Sequence, residues 1–350
     1  MGMHPKFDDS DYFVFFELLF GGSKEKAIEC LINKNLVSDS QKKAWLTFFD
    51  NIKDSEKSKL IDYFKLNLDD MVEDGEYVCS KTPKQIVSNF YQCYRVFNQR
   101  DLSVDYIRSK TILDFGAGVY RPLCVAAILY ANGFDKAYAF EPYPLKHQFP
   151  IASLIQLIIK ATISPSEYIF SGISSSEFVS RLKSLDTEHI HNKFKNFETG
   201  ECNSISLGGV ELINDISVIP DNYLDFQFSN AVLEHVSDLS YFFSKLKNIT
   251  KSDGEGYHIV DFADHRYYDD NTISPMEKYY DGILDEINGL TPSQIETLIL
   301  NAGWVANKCN AMTIPEDYHR NEQREIVDKY KNYSKEELFQ HINYYQLKMQ

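Results

Sequence analysis

The residue types able to do chemistry gather in three short stretches. The first, TILDFGAGVYRPLC at 111–124, has the outline of a strand, a tight glycine turn and a helix start, the arrangement in which α/β proteins hold nucleotide-like cofactors. Gly116 and Gly118 sit two apart, and Arg121 stands where a dinucleotide fingerprint has its third glycine. That side chain is too large for a helix to close on a strand beneath a pyrophosphate, which argues against a nicotinamide dinucleotide. In the second stretch, KAYAFE, Glu141 follows the loop by about twenty residues, where a carboxylate can accept hydrogen bonds from both hydroxyls of a ribose. The third element is a set of histidines: His235 in VLEHVSD and His265 in VDFADHR. Histidine suits proton removal near neutral pH, so both are candidate bases. His265 comes just past an expected strand, at the carboxyl edge where open α/β sheets place ligands. His258 falls inside that strand and reads as packing. Asp261, Asp264 and His265 have donor types that suit a divalent ion, but acids at strand ends commonly occur without one, and no metal is expected.

The elements that must position these groups follow from periodicity. From Lys110 onward short apolar strands alternate with helices: a strand at 111–115, a helix over 121–132 opened by Pro122 and ended by Gly133, and a strand at 136–141. A long apolar helix is expected over 147–162, with strands at 209–215 and 223–232, a helix over 238–249 and a strand at 254–264. Thr291 caps, Pro292 opens and Gly303 stops a further helix. Strands at 305–314 and 342–348 complete the pattern, which implies an α/β chain with a doubly wound, Rossmann-like parallel sheet. Residues 1–100 read as a helical N-terminal extension or cap. Residues 164–207 read as an insertion and 264–290 as a lid in which Tyr267, Tyr268, Tyr279 and Tyr280 are available to cover a substrate.

Taken in order, Asp114, Gly116, Ala117 and Gly118, then Glu141, then Asp215 with Pro220 five residues on, then Asp225 with Ser229 and Asn230 and the VLEHVSD stretch, resemble the motifs of class I S-adenosylmethionine-dependent methyltransferases. The resemblance covers about residues 91–313 and implies the seven-stranded methyltransferase type of sheet over 101–350. It implies that the Asp114–Gly118 loop passes under the methionine part of the cofactor, that Glu141 holds the ribose and that Asp215 lies beside the adenine. It further implies a structural role for Asp225 and places Asn230 near the cofactor's amino-acid end. Two features depart from the family pattern: Tyr120 stands where a further glycine is common, and the insertion precedes the third strand. The activity implied is methyl transfer to an oxygen or nitrogen of a small molecule, a sugar or natural-product intermediate, with His265 or His235 as base. The alternative is a catalytically silent methyltransferase-like protein serving binding or assembly.

Composition narrows the partners. The 350 residues carry a net charge of −15, against nucleic acid and anionic membrane surfaces, whose recognition needs clustered Lys and Arg. Six scattered cysteines without a CxxC pair fit a reducing cytoplasm. The start lacks the basic and apolar regions of a secretory signal. The apolar runs at 12–22 and 149–163 are shorter than the roughly 20 residues of a membrane span and read as buried helices. The expected partner is a small-molecule substrate, and the N-terminal helices are the surface a homo-oligomer would use.

Overall fold

The computed structural model describes Glu29 and residues 81–145, 150–187, 190–270, 272–315 and 324–350. The apolar run at 12–22 and most of the expected N-terminal extension lie outside the described residues. Among those described, no helix is long and apolar enough to cross a membrane. The chain forms two compact units.

Among described residues, the first unit comprises 81–85, 103–105 and 117–214. Here the helix expected at 121–132 begins later, as α3 (Cys124–Ala131), because Arg121–Leu123 form a turn closed by Cys124 N–H on the Arg121 carbonyl at 3.0 Å. Gly133, with φ +121°, ends it as expected. Strand β2 (Lys136–Phe140) pairs in parallel with β4 (Val210–Ile213). Helix α4 (Pro150–Ile163) lies between them in sequence. The segment read as an insertion contributes α5 (Ser175–Lys183), α6 (Ile190–Glu198) and a strand that patterning missed, β3 (Ser204–Ser206), antiparallel to β4. Three residues are too few for an alternation to show. Tertiary polar contacts hold this segment: Arg181 Nε donates to the Tyr130 carbonyl at 2.7 Å with its guanidinium over the Tyr130 ring. The buried Asn132 side chain accepts from Phe170 N–H at 2.7 Å and donates to the Tyr168 carbonyl at 2.8 Å.

The second unit comprises 86–102, 106–116 and 215–350. Helix α1 (Pro83–Asn98) buries Val87, Phe90, Tyr91 and Tyr94, spacings that make one helix face. A short helix α2 (Val104–Ile107) leads into β1 (Thr111–Phe115), which pairs in parallel with β5 (Leu224–Asn230). Helix α7 (Leu239–Ile249), capped by the Asp238 side chain on Tyr241 N–H, returns the chain to β6 (Thr250–Asp261), parallel to β5. Helix α8 (Pro292–Asn301) starts after Thr291 as expected, and β7 (Trp304–Thr313) and β8 (Gln340–Met349) complete the sheet. The order within this unit is β1-β5-β6-β8-β7, with β8 antiparallel to both neighbours. Phe90 of α1 packs edge-on to Phe228 and Tyr257 at ring separations of 5.1 and 5.9 Å, seating the helix on β5 and β6.

Eight strands are present among the described residues, one more than the seven-stranded type implies, and the extra one is β3. Parallel β1, β5 and β6 align their carboxyl ends, so Asp114, Asn230 and Asp261 finish at the edge where ligands bind in open α/β sheets.

Candidate active site

In the first unit the glycine loop is fastened to the end of β2. Ala117 N–H donates to the Phe140 carbonyl at 3.0 Å, and Gly118 N–H donates to Glu141 Oε2 at 2.8 Å. The other carboxylate oxygen, Oε1, accepts from Tyr143 N–H at 3.1 Å. Gly118 has φ +85° and open space where a Cβ would stand, so the backbone there is free for close approach of a ligand. Glu141 is 4% exposed; burial raises its pKa, opposed by the two backbone donors. The structure thus brings together the loop and the acid that were paired from sequence.

In the second unit Gly116 has φ +73°, and a Cβ would stand 2.6 Å from both Val232 methyls. Only glycine fits there. Asp114 is buried at the end of β1. Asn230 ends β5, its Oδ1 accepting from Asn89 Nδ2 at 2.9 Å. Asp215 is exposed and caps a short turn, accepting from Ser217 N–H at 2.9 Å; hydrogen bonds from the Ser217 side chain and backbone lower its pKa. Asp225 lies at the opposite, amino end of the strands. It accepts from Lys110 Nζ at 2.9 Å, Lys251 Nζ at 2.8 Å and Thr111 N–H at 2.9 Å. Burial works to raise its pKa, but those donors outweigh it and hold the carboxyl below its ordinary value. Its structural role matches the expectation.

Beyond Asn230 the chain enters an uncommon conformation: Ala231 has φ +54° with its N–H on the Ile259 carbonyl at 2.8 Å. A single helical turn, Leu233–His235, follows. Asn288 staples it from both ends, donating from Nδ2 to the Leu233 carbonyl at 2.8 Å and the Val236 carbonyl at 3.0 Å. The staple also positions Glu286, another left-handed residue at φ +56°, whose carbonyl lies 2.8 Å from His235 Nδ1. Since a carbonyl only accepts, that contact puts the proton on Nδ1 and leaves the Nε2 lone pair available.

His265 comes from the other side, just after β6. Its ring centroid lies 4.8 Å from that of His235, so the two candidate bases form one pair. Burial pushes the His265 pKa down to about 4, with the Asp261 carboxylate opposing. His258 is fully buried in β6 with Nδ1 2.8 Å from Ser229 Oγ, and burial takes its pKa to about 3; it packs, as read.

In the trio Asp261, Asp264 and His265 both carboxylates are taken up by other groups. Asp264 is held through both oxygens by Arg266, Nε to Oδ1 at 3.0 Å and Nη2 to Oδ2 at 2.6 Å. Asp261 accepts from the Tyr268 hydroxyl at 2.5 Å and Ala263 N–H at 2.9 Å, with His341 Nε2 at 3.5 Å. In their place Glu234, 4% exposed, joins the two histidines: one ligand atom from each of Glu234, His235 and His265 falls within a 4.8 Å cluster. Lys278 is buried nearby, its pKa drawn down to about 8 by burial and opposed by Asp261, Asp264 and Glu234. Sequence reasoning missed Glu234 and Lys278. The signal for Glu234 was its adjacency to His235, whereas nothing local marks Lys278.

The tyrosine set expected to cover a substrate divides. Tyr279 is fully buried in a core with Met276, Ile314, Tyr330 and Leu338, so it does not cover a ligand. The alternating Tyr and charge of this segment gave no sign that one ring turns inward. Tyr268 instead directs its hydroxyl to Asp261.

No family profile matches the chain, and no curated protein matches it. Solved structures similar to it include phosphoethanolamine N-methyltransferase 2 of Haemonchus contortus in complex with S-adenosyl-L-methionine, at 15% identity and TM-score 0.37, covering 74% of this chain and 52% of that one. The chain therefore spans about half the length of that enzyme. Geranyl diphosphate C-methyltransferase of Streptomyces coelicolor, in complex with Mg2+, geranyl diphosphate and S-adenosyl-L-homocysteine, is similar at 11% identity and TM-score 0.37, covering 78% and 85%. A SAM-dependent methyltransferase of Aquifex aeolicus is similar at 13% identity and TM-score 0.34, covering 85% and 99%.

Proposed function

We propose that the chain is an S-adenosylmethionine-dependent methyltransferase acting on an oxygen or nitrogen of a small molecule, a sugar or natural-product intermediate, in the cytoplasm. The observation that carries this reading is the fastening of the glycine loop to Glu141 through Gly118 N–H, with Gly118 open above it. Glu141 and the loop residues Asp114, Gly116, Ala117 and Gly118 are assigned to the cofactor, and Asp215 and Asn230 to its two ends. The bound cofactor would supply an electrophilic methyl group. The chain's task is then alignment of the acceptor and removal of its proton. The His235–His265 pair supports the second task, because the contact of His235 Nδ1 with the Glu286 carbonyl leaves the Nε2 of this exposed ring a lone pair to offer. The net charge of −15 supports a small acceptor over nucleic acid.

Isothermal titration with S-adenosylhomocysteine tests the cofactor assignment. The expected result is saturable binding that Glu141→Ala weakens by about 1–3 kcal/mol through lost charge-assisted hydrogen bonds. No binding to the wild-type chain overturns the reading, and unchanged affinity in the variant removes Glu141 from the site. Binding without a methylated product across broad acceptor screens favours the silent binding protein.

A further inference from the structure

The polar cluster after β5 and β6 contains a buried ring nitrogen that no hydrogen bond uses. His265 Nε2 is shut off from solvent and has no hydrogen-bond partner, a costly condition for a buried polar atom. His235 Nε2 is left with its lone pair because Nδ1 is committed to the Glu286 carbonyl. Glu234 presents a carboxylate whose Oε1 accepts from Asp261 N–H at 3.3 Å. One ligand atom from each of these three residues falls within a 4.8 Å cluster.

We propose that Glu234, His235 and His265 form a binding site for one divalent transition-metal ion of the zinc, iron or cobalt class. Two imidazoles and one carboxylate are the donor set such ions prefer, whereas Mg2+ and Ca2+ favour all-oxygen sites. Bonds of roughly 2.0–2.2 Å to a shared ion need donor separations of about 3–4 Å, so donors as far apart as 4.8 Å would approach one another by about 1–2 Å. Three protein ligands leave coordination positions open for a small molecule.

The surroundings match in two further ways. The hydrogen bond from His235 Nδ1 to a backbone carbonyl is the outer support that fixes the tautomer of a metal-ligating histidine, and Asn288 holds the turn carrying Glu234 and His235 rigid. Glu234, Asp261 and Asp264 act together on the buried Lys278, while Arg266 pairs with Asp264 and, at 2.9 Å, with Asp281.

Metal binding stands apart from the methyl-transfer reading. Its catalytic consequence rests on that reading: an acceptor oxygen held on the ion would lose its proton more readily, to water, and the two histidines would serve as ligands in place of the base role proposed above.

The test uses the full chain without an affinity tag, stripped with a chelator and titrated with Zn2+ and with Co2+. The expected result is one tight equivalent, with Co2+ giving visible absorption bands of mixed nitrogen and oxygen ligation. His265→Ala, Glu234→Gln and the exposed His235→Ala should each weaken binding by more than the roughly 10–100-fold that loss of an outer support costs. Melting curves without metal check that each variant folds, and His235→Ala keeps the test informative should a buried change disrupt packing. Absence of a tight equivalent overturns the proposal, as does wild-type affinity in a folded His235→Ala. Cofactor titration on the same samples separates this outcome from failure of the methyltransferase reading.

Discussion

Two buried polar clusters stand at opposite ends of the same parallel strands and are finished in opposite ways. At the amino end Asp225 meets Lys110, Lys251 and Thr111 N–H, so every charge has a partner within 3.0 Å. At the carboxyl end His265 Nε2 has none, and the turn that carries Glu234 and His235 follows a left-handed Ala231. Saturated polar groups stabilise a fold and leave nothing over for a ligand. Unsaturated ones cost stability and are kept where binding recovers it. The difference sets the clamp apart from the candidate site.

Three changes can break or sharpen this contrast. The largest effect is expected at the clamp. Asp225→Ala strands two lysines and a backbone donor, and after discounting for the partial exposure of both lysines it should destabilise the chain by about 2–4 kcal/mol in urea unfolding. A loss below about 1 kcal/mol would show that the amino end is not a clamp.

The second concerns His258, midway along β6. Its folded pKa of about 3 lies below the ordinary 6.5, so between those values the unfolded chain binds a proton that the native chain refuses. Stability should therefore be full above about pH 6.5 and fall as the pH drops toward 3, by about 1.4 kcal/mol per pH unit. His258→Gln should remove that slope between pH 6 and 4 in denaturant titrations (about two pH units). Equal slopes in the two proteins would show that His258 is not buried neutral.

The smallest stability change is expected at the site itself. His265→Leu removes an unsatisfied imidazole, so stability should move by less than about 1 kcal/mol, while turnover in any methyl-transfer assay should fall by roughly 100-fold or more. A large loss of stability with activity intact would reverse the assignment of the two ends.

Much of this was legible in the residues. The glycine spacing, the acid after the second strand and the alternation of strand and helix are local patterns, and the strands at 111–115, 136–140 and 304–313 formed where those patterns put them. The site was legible only in part. His235 and His265 could be singled out because histidine chemistry is a property of the residue, and their pairing could not, since 30 residues of helix and strand separate them. Asp261 and Asp264 looked as suited to a metal as Glu234 does. Their capture by Tyr268 and Arg266 is a matter of packing that spacing does not encode.

Glycine positions, the strand–helix order and the stock of carboxylates and imidazoles are written in the residues themselves, because backbone freedom, periodicity and side-chain chemistry are local properties. Which of those groups find partners depends on the folded chain. The Glu286 carbonyl reaches His235 across 51 residues, Asn288 staples the turn across 55, and Lys278 is buried among acids that lie elsewhere in the chain. Hydrogen-bond partnership and burial are set by which distant segments pack together, and at this site they separate ion-pairing groups from groups with a lone pair to offer.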